Sequence, residues 1–86
     1  MKMNVFEYTV SAKEQDIAGF ENPADAIAFA RHIANEQHCD VVVINAFTGE
    51  VCYEARVIVR ITYNAYFEEL SRDYEIKEEK WAVIRP

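Results

Sequence analysis

At 86 residues the chain has room for one hydrophobic core and not for two, and a domain of this size buries only about 60–65% of its unfolded surface. Hydrophobic residues make up 51% of the sequence and there are only two glycines and two prolines, which excludes a disordered or low-complexity chain. Nine Lys/Arg against 15 Asp/Glu give a formal charge of -6, a field that repels nucleic-acid phosphates and attracts basic protein surfaces.

The first element spans Asn4 to Ser11, where Phe6, Tyr8 and Val10 alternate with Glu7 and Thr9, the two-residue period of a strand with one face toward the core. Met1–Asn4 leads straight into this pattern, and no segment approaches the roughly 20 apolar residues that span a bilayer. A soluble, cytoplasmic protein without membrane contact is the expectation. Ala12 to Glu21 reads as a loop or hairpin arm that returns Ile17 and Phe20 to the core.

Residues Asn22 to about Gln37 carry several concordant helix signals. Asn22 can cap the first turn, Pro23 sits where its missing N–H costs nothing, and Asp25 places negative charge at the electropositive end. Ala26, Ile27, Phe29, Ala30, Ile33 and Ala34 fall within an arc of about 160°, opposite Ala28, Arg31, His32, Asn35 and Glu36. The three alanines have no bulk, so this face is built to approach a sheet closely.

Val41–Ile44 is an unbroken apolar run that predicts an interior strand covered on both faces. Asn45–Glu50 predicts a turn with Gly49 in a left-handed position. From Val51 to Tyr63 the alternation is regular, with Tyr53, Ala55, Val57, Val59, Ile61 and Tyr63 on one side. Its 13 residues predict one long bent strand or two shorter ones. Asn64–Ser71 reads as a short second helix capped by Asn64 with Phe67 and Leu70 turned inward, or as a wide connection. Tyr74, Ile76 and Trp81–Ile84 predict a final strand ended by Arg85–Pro86. The whole is a single α+β domain over residues 1–86: one amphipathic helix on a mainly antiparallel sheet of about four strands.

Candidate chemistry is sparse. His32 and His38 are six residues apart, not the spacing of two ligands on one helical face, and His38, Cys39 and Cys52 make three ligands at best. Two cysteines do not define a disulfide framework, and free thiols are expected. Gly19 and Gly49 are isolated, so no phosphate-cradling loop exists. These features predict no cofactor, no metal and no enzyme.

Arg56 and Arg60 share a strand face and, with exposed aromatics, form the pattern of a single-strand nucleic-acid platform, whereas in the competing reading Tyr53 and Tyr63 belong to the buried face and the two arginines keep the reverse face soluble. The surrounding acids make the platform the alternative reading. The better candidate is a protein interaction through the acidic and aromatic last third: Tyr66, Glu68, Glu69, Asp73, Tyr74, Glu75, Glu78, Glu79 and Trp81. Aromatic anchors within charged surroundings suit a partner with a basic surface, including by imitation of nucleic-acid charge. A homodimer, paired through an edge left by the long strand or by Trp81–Ile84, is a further alternative.

Phe20-x-x-Pro23-x-x-Ala26-x-x-x-Ala30, followed by Asp40–Ile44 and Thr48-Gly49-Glu50-Val51, resembles the helix-then-hairpin arrangement of small phage-encoded accessory proteins, including some anti-CRISPR inhibitors. The resemblance covers residues 4 to 54. It implies a compact, non-enzymatic inhibitor that occupies a site on a host defence or nucleic-acid-processing complex.

Overall fold

The computed structural model describes residues 6–81. They form strands β1 (Tyr8–Ala12) and β2 (Gln15–Phe20), helix α1 (Pro23–Gln37), and strands β3 (Val41–Asn45), β4 (Val51–Tyr63) and β5 (Glu69–Lys80). The result is a small α+β fold: one helix packed against a five-stranded antiparallel sheet of order β2-β1-β3-β4-β5.

The helix begins and ends as its sequence dictates. Asn22 Oδ1 accepts the Ala24 N–H at 2.8 Å, Pro23 is the first helical residue and Asp25 lies in the first turn. At the other end no glycine is available, and His38 takes the left-handed conformation at φ 49°, donating its N–H to Ala34 O at 3.0 Å. Ala26, Ala30 and Ala34 are fully buried against Tyr8, Val10, Val41, Val43, Tyr53 and Ala55 of the sheet. Ile27, Phe29 and Ile33 pack around them half-buried, with Phe29 against the Phe20 ring at 5.4 Å.

Several expectations are corrected. The sheet has five strands rather than four because Gln15–Phe20 pairs with β1 as a hairpin, turned by Lys13 and Glu14 at positive φ. Phe20 does return to the core, but Ile17 lies at a register shift in that pairing and is 42% exposed. Phe6 precedes β1 and lies 40% exposed over Gly19, where an added Cβ would meet its ring at 2.6 Å. Asn4 and Val5 lie outside the described residues.

Strand β3 is interior, between β1 and β4, but only its helix-side residues Val41, Val43 and Asn45 are buried. Val42 and Ile44 are half-buried on the face that no helix covers. The turn after it is built by Asn45, whose Oδ1 accepts the N–H groups of Phe47 and Thr48, while Gly49 supplies φ 78°.

Val51–Tyr63 is one 13-residue strand. The second helix over 64–71 is absent: Asn64–Phe67 is the turn of a hairpin, and β5 starts at Glu69. Asn64 does cap, but it caps this turn, with Oδ1 accepting the N–H groups of Tyr66 and Glu68 at 2.8 and 3.0 Å. Phe67 and Leu70 point to solvent, 87% and 63% exposed. The final strand is Glu69–Lys80, ending before Trp81. Residues 82–84, also expected in it, lie outside the described residues.

Close approach of the alanine face leaves no room for branches. Ala30→Leu therefore overpacks the helix against the sheet and lowers unfolding stability by about 1–3 kcal/mol, read by equilibrium denaturation. Unchanged stability would contradict the packing.

Candidate functional site

The fold sets up one conspicuous feature, a hairpin arm. Beyond Ala55, β4 loses its partner β3, whose ladder begins at Val41 paired with Ala55. Asp40 stands at this departure point, and its Oδ1 accepts the Val57 N–H at 2.8 Å in place of a strand carbonyl. From there β4 continues with β5 as its sole described neighbour, through Tyr63 paired with Glu69. The molecule measures 59 × 31 × 18 Å, and its radius of gyration of 16.3 Å exceeds the roughly 12 Å of a compact domain of this length.

The helix fastens the base of this arm. Arg31 Nε and the Tyr53 hydroxyl both donate to Glu78 Oε1, each at 2.5 Å. At the C-cap, immediately after the helix, the His38 ring stacks on Tyr74 at 3.7 Å with only 5° between planes. Side chains of the helix and its C-cap thus reach β5 at two points, Glu78 and Tyr74.

Opposed residues in an antiparallel ladder point to the same face, which fixes how the arm is divided. The helix side carries Val57 with Ile76, Val59 with Tyr74, Ile61 with Arg72, and Tyr63 beside Leu70. Val57 and Ile76 are half-buried against the core, whereas Val59, Tyr63, Leu70 and Tyr74 are exposed large apolar residues beyond the helix. The opposite face carries Ile58 with Glu75, Arg60 with Asp73, Arg56 with Lys77 and Glu54 with Glu79. The tip adds Tyr66 and Phe67, over four-fifths exposed, with Phe67 held at φ 62°.

The predicted interaction residues are therefore distributed, not gathered. Tyr74 and Glu78 face the helix side, Asp73, Glu75 and Glu79 the reverse side, and Tyr66 and Glu68 the tip. Glu69 opposes Tyr63 and accepts from Arg72 at 2.6 Å. Trp81 lies at the arm's base, its N–H donating to Cys52 O at 3.0 Å and its side chain 42% exposed. Glu78 serves as a structural anchor. Tyr63, expected on the buried face with Tyr53, does share that face but is 53% exposed, because the core ends before it.

Arg56 and Arg60, the candidate phosphate contacts, each hold a carboxylate: Arg56 that of Glu54, and Arg60 that of Glu75 at 2.6 Å. The Glu54 carboxylate drives the Arg56 pKa up, and Glu69 does the same to Arg72. Cys39 is half-buried and Cys52 buried, with no disulfide between them, and the Cys52 thiol donates to Glu50 O at 3.8 Å. Among the described residues no group of three or more His, Cys, Asp or Glu is arranged to hold a metal ion, and no helix is long and apolar enough to cross a membrane.

Sequence reasoning missed Arg31, placed on the polar helix face, and the apolar stripe Val59–Ile61–Tyr63 with Leu70. The readable signal for the stripe is length: the alternation from Val51 to Tyr63 continues past anything a 15-residue helix can cover. Comparison with protein-family models, with characterised proteins and with solved structures finds no match for this chain.

The anchor makes stability depend on pH at both extremes. The Tyr53 hydroxyl and Arg31 hold the Glu78 carboxyl below its ordinary 4.5, so its contribution is complete above pH 4.5 and fades as pH falls through the lowered value. Burial, then the Glu78 carboxylate, pushes Tyr53 up to about 12, so its contribution is complete below pH 10.0 and is lost as pH rises toward 12. Denaturation across pH should show Glu78→Gln flattening the acid limb and Tyr53→Phe the alkaline limb. Slopes equal to those of the unaltered chain would remove this anchor from the account.

Proposed function

We propose that the chain is a non-enzymatic protein-binding module whose working surface is the tip and helix-side stripe of the β4–β5 arm. The supporting observation is Phe67. A bulky residue in left-handed backbone costs about 1–2 kcal/mol relative to the usual conformations, and glycine or asparagine is the inexpensive choice there. An aromatic ring kept at such a position, 87% exposed and next to Tyr66 at 82%, is there for what it touches outside the chain.

Tyr63 and Leu70 extend this apolar surface down the arm, and aromatic anchors of this kind dominate protein interfaces. The net charge of -6 and the Glu68 carboxylate at the tip favour a partner with a basic surface. Occupation of a basic groove in a nucleic-acid-processing or defence complex, and hence inhibition, is the form of this activity that the charge and the resemblance over residues 4–54 support. The ion pairing of Arg56 and Arg60 favours it over direct nucleic-acid binding.

Affinity capture from lysate, with the partner identified and its binding then measured on purified components, tests this reading through two variants. Phe67→Gly should keep or slightly raise folding stability, because it relieves the left-handed strain, yet weaken partner binding by at least about ten-fold, as loss of an anchor does. Tyr66→Ala should act in the same direction. Binding unaffected by both variants, or tight association with single-stranded nucleic acid in place of protein, would refute the proposal.

A further inference from the structure

We infer that two copies of the chain join through the free edge of β5, giving a continuous ten-stranded antiparallel sheet about a twofold axis at Glu75. This assembly is independent of the arm's tip, because it forms through the backbone edge of β5 and leaves Tyr66 and Phe67 uncovered.

Strand β5 ends the sheet order, and β4 is its only strand neighbour among the described residues. One register runs unbroken from Ser71 to Lys80, with neither a bulge nor a proline, so alternate N–H and C=O groups along this edge are presented outward in regular spacing. Such an edge is a template for another strand unless it is protected. What decides the occupant is the charge pattern of the strand itself.

Antiparallel pairing of β5 with its own copy must oppose residues of like parity, or the helix-side face of one copy would continue into the reverse face of the other. Centring on Glu75 sets Asp73 against Lys77 of the second copy and Arg72 against its Glu78, each contact made twice by symmetry. It also sets Tyr74 against Ile76, again twice. The like-charge contact is Glu75 on its copy, and each of these carboxylates is already held by Arg60 at 2.6 Å. Moving the axis to Tyr74 opposes Asp73 to Glu75 and Glu69 to Glu79. Moving it to Ile76 opposes Asp73 to Glu79 and Arg72 to Lys80, two repulsive contacts against the one attractive contact of Glu75 with Lys77. Like charges directly opposite destabilise a ladder, so the strand carries one favourable self-register flanked by unfavourable ones.

The same register resolves the apolar stripe. Within one chain Val57 opposes Ile76 and Val59 opposes Tyr74. Across the axis these join into two rows, each running Val57, Ile76, then Tyr74 and Val59 of the second copy, over four adjacent strands. Exposed Val59 and Tyr74 become interior members of a row.

The test is the molecular mass of the full chain in solution, by sedimentation equilibrium over a dilution series. The unaltered protein should sediment at twice its 10.0 kDa mass. Asp73→Lys alone, or Lys77→Asp alone, replaces two attractive contacts by two repulsive ones and should weaken the dimer by roughly ten- to hundred-fold. An equimolar mixture of these two variants opposes unlike charges at both contacts and should recover the dimer, with circular dichroism establishing that each variant is folded. A monomeric parent chain, single variants that dimerise as the parent does, or a mixture that stays monomeric would each overturn the inference. Phe67→Gly should leave the dimer intact, so failure here and failure of the tip's binding role are read separately.

Discussion

A mismatch of lengths governs this molecule. Fifteen helical residues rise about 22 Å, whereas thirteen residues of strand extend about 43 Å. The helix therefore covers the sheet from Ala26 to Ala34, reaches Glu78 and Tyr74 with its last turns, and leaves the remainder of β4 and β5 without a roof. An isolated two-stranded hairpin is marginal in water. Arg31, Tyr53, Glu78 and the His38–Tyr74 stack matter because they tie the arm to the one part of the molecule with a core.

That core is economical. Three alanines bring the helix axis close to β1, β3 and β4, and two fully buried tyrosines, Tyr8 and Tyr53, fill much of the volume that aliphatic residues fill elsewhere. Tyr53 is both a filler and a connector, since its ring lies in the core while its hydroxyl reaches the arm. Asp40 has an analogous double role, closing β3 at its start and satisfying Val57 where β4 leaves the sheet. The face without a helix tolerates exposure because most of its residues are small, polar or charged, with Val42, Ile44 and Ile58 half-buried exceptions.

Local signals were legible where chemistry is local. Asn22, Pro23 and the alanine spacing mark the helix to within a residue, and Gly49 marks its turn, because capping and left-handed backbone depend on neighbours in sequence. Asn64 misled because the same side-chain acceptor serves the first turn of a helix and a hairpin turn alike, and the choice is made by the pairing of Thr62 with Ser71 across it. Tyr63, Phe67 and Leu70 look like core residues by polarity, and only the helix's endpoint reveals that no core reaches them. The candidate site was recognisable as a region, the acidic and aromatic last third, but its division into two faces and a tip follows from strand register. Arg31 and Glu78 lie 47 residues apart, and nothing in either neighbourhood announces their contact.

The central claim is that order in this protein declines along the arm as the helix is left behind. Residue-resolved amide hydrogen exchange, on chain diluted until it sediments as a monomer, tests it most directly. Amides of β1, β3 and the helix-covered stretch of β4 up to Ala55 should exchange slowest, with protection falling through Val59 and Ile61 to the turn at Asn64–Phe67. Protection at Ile61 and Arg72 equal to that at Val43 would contradict the account, because it would mean the arm is held by something other than the helix and its anchor.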